Sequence, residues 1–181
     1  KKFYKFMTTK PKIKIDISKS INDTDLADLC NITEQAISAG GGFGWLKVPT
    51  REKLIKYWRG TLLVPHRQLI VGRLNKVIAG TLQLVFQPPN NEAQQNITNV
   101  KSHFVAPWAR GFGLAKSMID VAEKKALEFG SNFMHLDVRE TQEAAIKLFE
   151  SRGYKKWGTN PHYAVIDGKN LKGCYFFKRL K

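Results

Sequence analysis

The sequence has little cysteine and no long apolar run. Only Cys30 and Cys174 occur among its 181 residues, far apart and outside any Cys-x-x-Cys pair. This excludes a disulfide framework and favours a reducing compartment. No apolar stretch approaches the roughly 20 residues that a membrane-spanning helix needs, and no secretory signal pattern is recognisable. We therefore expect a cytoplasmic protein that has no membrane partner.

Acidic residues are also scarce. The chain has 15 Asp and Glu against 30 Lys and Arg, a formal net charge of +15. Such a charge favours anionic partners: nucleic acid, a membrane surface, an acidic protein or a phosphorylated cofactor. However, the basic residues are spread along the chain, with no run of five like charges. A helix-turn-helix signature, an aromatic RNA-binding motif and a zinc pattern are all missing. We expect no metal and no specific nucleic acid, and nucleic-acid binding is kept as a less favoured alternative.

The hydrophobic periodicity indicates an α/β protein. We expect a flexible basic N-terminus at 1–11 and one domain at 12–181, long enough to bury its own core. The period-2 and period-3.6 patterns predict strands at 12–18, 68–74, 77–87, 97–107, 132–138 and 174–180, and helices at 21–40, 49–58, 115–129 and 141–152. A cap at Asp23 or Thr24 begins the first helix, and Asn75 and Lys76 form a tight turn between two strands.

A glycine-rich turn joins a predicted strand to a predicted helix in the stretch "WARGFGLA" at 108–115. Unpaired N–H groups and the positive end of a helix dipole make such a turn suitable for a phosphate group. The Walker loop is excluded because "GLAKS" lacks Gly-Lys-Ser or Gly-Lys-Thr. The dinucleotide fingerprint is excluded because Lys116 stands where its third glycine belongs and the turn lies past mid-chain.

The remaining pattern, Arg-Gly-Phe-Gly-Leu-Ala, resembles the R-x-x-G-x-G/A signature of the GNAT superfamily of N-acetyltransferases. The segments "FVAPWARGFGLA", "MHLDV" and "AAIKLFESRGY" resemble successive parts of that family and occur in its order. The segments "AGGGFGWL", "YWRG", "VIAGTLQL" and "GTNPHYAVIDG" resemble its bacterial single-domain branch, which includes the tabtoxin-resistance acetyltransferase. The resemblance covers the chain from about residue 24 to its end.

This resemblance implies a GNAT fold, with a central mixed, mostly antiparallel sheet flanked by about four helices. It also implies acetyl-CoA as cofactor and direct transfer of the acetyl group to a primary amine. The implied cofactor-binding residues are Phe104 and Val105 for the pantetheine arm, Arg110, Gly111, Phe112, Gly113, Leu114 and Ala115 for the pyrophosphate, and Gln142 and Phe149 at later motif positions.

The chain departs from the family where proton transfer is concerned. Phe149 stands in place of a tyrosine that donates a proton to the leaving thiol, and Asn99 stands in place of a carboxylate on the preceding strand. An amine of pKa about 10 is mostly protonated at neutral pH, so a base is needed. The first candidate is Asp137, which matches the acidic position after "HL", although a strand-end cap is the alternative.

Four further residues are candidates for the site. His103 is a second base, because an imidazole titrates near neutrality, although a core histidine is equally compatible with the pattern. Tyr154 and Tyr163 are candidate acids, although each can also be a core or rim aromatic, and Trp45 and Tyr163 are candidate substrate-binding residues.

The amine acceptor is not identified by any motif. We expect a small-molecule amine, with a peptide or protein amine as the other possibility, and a monomer or homodimer. Because Asn99 and Phe149 leave the family pattern, a relative that binds acyl-CoA with weak or no catalysis, acting as a sensor or scaffold, is the alternative function.

Overall fold

The computed structural model describes residues 10–41 and 43–181. Most of the predicted flexible segment at 1–11 lies outside the described residues, as does Gly42. Within the described part, seven strands form one sheet together with four α-helices. The elements in chain order are β1 (Ile13–Ser18), α1 (Asp23–Ser38), α2 (Arg51–Thr61), β2 (Arg67–Leu74), β3 (Val77–Phe86), β4 (Ile97–Val105), α3 (Leu114–Glu128), β5 (Phe133–Arg139), α4 (Glu143–Ser151), β6 (Lys155–Ile166) and β7 (Lys169–Arg179).

The sheet is mixed and mostly antiparallel, as the family resemblance implies. Its strand order is β1-β2-β3-β4-β5-β7-β6. Among the described strands, β4 and β5 form the one parallel pair. Parallel neighbours need a long crossover connection, and α3 supplies it. None of the described helices is long and apolar enough to cross a membrane.

The hairpin between β2 and β3 follows from its two-residue turn. Asn75 adopts a left-handed conformation with φ of 57°, which asparagine tolerates better than most residues. Its backbone N–H donates to the Lys12 carbonyl at 2.7 Å, and its side-chain oxygen accepts from the Lys12 N–H at 3.1 Å. The predicted turn is confirmed, and it also fixes the start of β1.

The N-cap of the first helix lies at least one residue earlier than predicted. Asn22 is the N-cap, and its side-chain oxygen accepts from the Asp25 N–H at 2.8 Å. The prediction of Asp23 or Thr24 as the cap is therefore wrong. Asn22 caps as well as aspartate does, and its use leaves Asp23 and Asp25 in the first turn, where negative charge favours the helix dipole.

Strand β6 is missing from the sequence-based prediction. It lies at the sheet edge and pairs with β7, with register shifts between Lys156 and Gly158 and between Asn160 and Ala164. Those irregularities and Pro161 break the period-2 pattern that a strand prediction needs. An edge strand accommodates proline because one side of its backbone has no ladder partner.

Helices pack on both faces of the sheet. Gly80 of β3 faces α3, because a Cβ added there would lie 2.9 Å from Met118 Cε. Gln83 lies three residues later on β3, and its side-chain amide donates to the Tyr57 hydroxyl of α2 at 3.1 Å. Alternate strand residues face opposite sides, so α2 and α3 lie on opposite faces. Trp58 is fully buried, and its indole N–H donates to Thr33 Oγ1 of α1 at 3.0 Å.

Candidate active site

The glycine turn presents open backbone at the start of α3. Gly111 and Gly113 have φ of 86° and 81°, a left-handed conformation that favours glycine. A Cβ added at either position would meet no atom within 4 Å. Ser117 is the first residue of α3 whose N–H pairs within the helix, with the Gly113 carbonyl at 3.0 Å. The preceding N–H groups cannot pair within the helix, so the turn can bind an anion.

Next to this turn, the sheet is split between β4 and β5. The parallel pairing joins Ile97, Thr98 and Asn99 to Phe133, Met134 and His135, and it ends there. On the other side of β4 the register with β3 shifts between Thr81 and Gln83, and Ser102 has φ of 49°. A bulge of this kind bends a strand. The split opens into a cleft of about 950 Å³.

Many of the residues assigned from the sequence line this cleft. They are His103, Phe104, Val105, Arg110, Ala115, Asp137, Gln142, Phe149 and Tyr163. The amide of Gln142 donates to the Gly40 carbonyl at 3.0 Å, so its side chain is engaged with the loop after α1. The cleft therefore extends from the glycine turn, past both strand edges, to that loop.

The other assigned residues lie outside the cleft lining. Gly111, Phe112 and Gly113 are exposed on the adjacent turn, while Leu114 is buried in the core. Trp45 packs against Phe43 and Tyr57, with ring centroids 5.9 and 5.1 Å apart. Trp45 and Phe43 lie in the loop after α1, and they form an aromatic cluster with Tyr57 of α2.

Tyr154 is not placed to donate a proton in the cleft. It is 3 % exposed, and its hydroxyl lies 3.8 Å from Met134 Sδ. Burial, followed by the negative charge of Glu123, raises the pKa of Tyr154. Tyr154 as an acid does not fit this geometry, because the ring is buried in the core and does not line the cleft.

Asp137 is the centre of a polar cluster in the cleft. It lies on β5, its Oδ1 pairs with the Lys101 ammonium of β4, and its Oδ2 accepts a hydrogen bond from the Tyr163 hydroxyl of β6. Burial and the hydrogen bond to Asp137 raise the pKa of Tyr163. The tyrosine therefore stays protonated at neutral pH and donates to the carboxylate.

His103 fits one of its two sequence-based interpretations. Its Nε2 is buried and has no hydrogen-bond partner among the described residues, and its ring lies 5.6 Å from that of Phe149. Burial lowers the pKa of His103 to about 4, and a backbone hydrogen bond involving Ala115 opposes this only in part. The burial of His103 and its lowered pKa agree with the alternative of a core histidine and not with a base that titrates near neutrality.

A second, smaller cavity of about 270 Å³ adjoins the cleft. It shares Lys101, Leu136 and Asp137 with the cleft, and it is otherwise lined by Asn99, His135, Trp157, Tyr175 and Phe176. Sequence reasoning assigned neither Lys101 nor Trp157 to the site. The hydrophobic patterns of β4 and β5 predict that Lys101 and Asp137 lie on strands. That the two strands are neighbours, so that these residues meet, is visible only in the structure.

Two comparisons with known proteins address the family. The model of the acetyltransferase (GNAT) family matches residues 30–154. An uncharacterised N-acetyltransferase from the hisH–hisA intergenic region of Azospirillum brasilense is 46% identical over 130 residues, which is 72% of this chain and 77% of that protein. The chain belongs to the GNAT family of acetyltransferases. The family resemblance found in the sequence is thus confirmed.

Solved structures agree with the GNAT fold. An N-acetyltransferase from Staphylococcus aureus superposes with a TM-score of 0.78 at 21% identity, covering 94% of this chain and 99% of that one. The yncA protein of Salmonella typhimurium, assigned as an acetyltransferase and solved with its cofactor acetyl-CoA, gives a TM-score of 0.74 at 16% identity, covering 93% and 94%. Acetyl-CoA, the cofactor expected from the sequence, is the cofactor that GNAT acetyltransferases use.

Proposed function

We propose that this acetyltransferase transfers the acetyl group of acetyl-CoA directly to the primary amine of a small molecule, with Asp137 as the base. The observation that carries the proposal is the position of Asp137, which lines both the cleft and the smaller cavity. One carboxylate therefore faces the space for a cofactor and the space for an acceptor.

The described residues fit acetyl-CoA. The turn from Arg110 to Ala115 has backbone N–H groups next to unoccupied space at Gly111 and Gly113, and Arg110 and Ala115 line the cleft. Such N–H groups bind phosphates well. Beyond Asn99, the edge of β4 that faces β5 is released from strand pairing, so Phe104 and Val105 can hold an extended pantetheine arm by backbone hydrogen bonds. When bound, acetyl-CoA supplies an activated acetyl thioester.

The chain's own contribution to the chemistry is proton transfer and positioning. Asp137 receives a proton from the ammonium of the acceptor, which makes the nitrogen nucleophilic. Tyr163 and Lys101 hold the carboxylate from two sides. Phe149, which is buried beside His103, has no proton to give, so we assign no dedicated acid on α4. A thiol of pKa about 8.5 leaves without one, at a lower rate.

The size of the second cavity supports a small acceptor. At about 270 Å³ it lies below the roughly 300–1,000 Å³ of usual ligand pockets, so it fits a compact amine better than a folded protein surface. Trp157, which is 62% exposed, and Tyr175 flank it. We also propose that the chain belongs to the bacterial single-domain branch that includes the tabtoxin-resistance acetyltransferase, because several of its segments resemble that branch.

Two measurements test this function. Calorimetry with acetyl-CoA should show binding at micromolar concentrations, and a thiol-release assay over a panel of small amines should show turnover above hydrolysis for at least one. Absence of cofactor binding would contradict the whole proposal. Binding without turnover of any amine, but with acetylation of a peptide panel, would reject the small-molecule acceptor and keep the cofactor assignment.

A further inference from the structure

One amine of the chain itself lies in the active site. Lys101 carries its ammonium against Asp137 Oδ1, and it lines both the cleft and the smaller cavity. Among the described residues that line these cavities, Lys101 is the only lysine. A primary amine in contact with the carboxylate that serves as base has the arrangement required of an acceptor.

The other lysine ion pairs of the described chain lie elsewhere. Lys14 pairs with Asp16, Lys56 with Glu52, Lys125 with Glu128 and Lys178 with Glu123, and all of these lie outside both cavity linings. An ion pair with a carboxylate is therefore common in this basic protein. The combination of an ion pair with a position in the cleft distinguishes Lys101.

The surroundings of Lys101 leave its amine able to move. Its side chain is 44% exposed, whereas that of Asp137 is 18% exposed. A lysine ammonium is a compact charge on a flexible four-carbon stem. The neighbouring bulge residue, Ser102, interrupts the β3–β4 register, and Phe104 and Val105 follow on the same strand. The amine can thus turn from the carboxylate toward the cleft without a change in the backbone.

We propose that Lys101 is a site of self-acetylation, modified within its own chain when no amine acceptor occupies the smaller cavity. This inference rests on the proposed function. Asp137 takes a proton from the Lys101 ammonium, and the nitrogen lone pair forms a C–N bond with the acetyl carbon. The C–S bond breaks and sulfur leaves with its electron pair, while the nitrogen loses a second proton that reaches the thiolate through water. Asp137 then releases the first proton to solvent. The products are Nε-acetyllysine, free coenzyme A and one proton released to solvent.

The modification inactivates the site. Acetylation removes the positive charge that faces Asp137, and it leaves an amide in the space between the two cavities. An amide is not an acetyl donor to another amine, so the acetylated chain is a dead-end product and not an intermediate. A bound amine acceptor takes the place of the Lys101 ammonium at Asp137 and protects the lysine. Self-acetylation is therefore an off-switch that responds to a lack of acceptor.

The experiment uses the full chain with acetyl-CoA and no added amine. Intact-protein mass spectrometry should show one acetyl group per chain, peptide mapping should place it on Lys101, and thiol release should stop after one equivalent. The first-order rate constant should not change with protein concentration. Lys101→Arg, which keeps the charge, should abolish the modification, and the matched Lys56→Arg variant, which alters an ion pair 2.8 Å long outside both cavities, should retain it.

The outcomes separate this inference from the proposed function. If calorimetry shows cofactor binding and amines are acetylated while Lys101 stays unmodified, self-acetylation is rejected and the proposed function stands. Equal labelling of Lys56 and Lys101, or a rate constant that rises with protein concentration, also rejects it. Absence of acetyl-CoA binding would reject both the proposed function and self-acetylation. Asp137→Asn should slow labelling of Lys101 only, and an added substrate amine should protect Lys101.

Discussion

Asp137 has a defined environment because residues from three strands meet at its carboxylate. Lys101 of β4 and Tyr163 of β6 each contact one of its oxygens. The pair with Lys101 balances the negative charge, and the hydrogen bond from Tyr163 orients the group, so the side chain is positioned before any ligand arrives. Preorganisation of this kind is what a general base needs.

Replacing the carboxylate should remove the base and leave the cofactor site intact. We expect Asp137→Asn to lower kcat/KM for the best amine by about 10²–10⁴-fold, with the acetyl-CoA Kd unchanged. The control is Asp167→Asn in the turn between β6 and β7, where φ is 50° and asparagine is tolerated. Steady-state kinetics and calorimetry provide both quantities, and a similar loss in the two variants would refute the role of Asp137.

Burial of His103 should make the fold sensitive to acid. In the folded protein the pKa of His103 is lowered from 6.5 to about 4. As the pH falls, His103 is therefore protonated in the unfolded chain before it is protonated in the folded protein. The stabilisation is complete above pH 6.5 and is lost as the pH falls toward 4, by at most about 3 kcal/mol at 1.36 kcal/mol per pKa unit. Urea unfolding at pH 7 and pH 5 should show a smaller acid-induced loss for His103→Gln than for the unmodified chain.

The control for this measurement is an exposed histidine. His162 lies on the edge strand β6 with an exposed side chain, so His162→Gln should keep the full acid-induced loss. An equal loss in the unmodified chain and in His103→Gln would show that His103 is not the group responsible.

At the scale of elements, the sequence predicts the order of helices and strands and the glycine turn, because these depend on local periodicity and on turn residues. It does not predict β6, whose bulges and Pro161 break the pattern. It also does not predict the contact of Lys101 with Asp137, since residues 36 positions apart meet only through the parallel pairing of β4 with β5. Burial of His103 and Tyr154 is likewise a property of packing that no short motif contains.

The glycine turn can be tested against a matched glycine at the other end of α3. Gly113 and Gly130 have φ of 81° and 87°, and an added Cβ meets no atom within 4 Å at either site. Each Gly→Ala change should therefore destabilise the fold similarly, by about 1–2 kcal/mol of left-handed strain. We expect only Gly113→Ala to weaken acetyl-CoA binding, measured by calorimetry at a temperature where both variants are folded. Equal Kd values would contradict the assignment of the turn.

At the scale of the whole molecule, the positive charge should assist binding of an anionic cofactor. The formal net charge is +15, and its field is screened as the Debye length falls from about 30 Å at 0.01 M salt to about 8 Å at 0.15 M. We expect the acetyl-CoA association rate to fall several-fold over this range in stopped-flow measurements. An acetyl thioester of pantetheine without phosphates is the control, and the same salt dependence for both ligands would exclude electrostatic attraction as the cause.

The split between β4 and β5 has a consequence for the kinetic order of the reaction. Among the described residues, Lys101, Leu136 and Asp137 line both the cleft and the smaller cavity, and the other lining residues belong to one cavity or the other. With acetyl-CoA in the cleft and the amine in the smaller cavity, as we propose, both ligands occupy the protein at once, and neither product has to leave before the second substrate enters. Initial rates at varied concentrations of both substrates should give intersecting double-reciprocal lines, the pattern of a ternary complex, whereas parallel lines would mean that the acetyl group rests on the protein between two half-reactions.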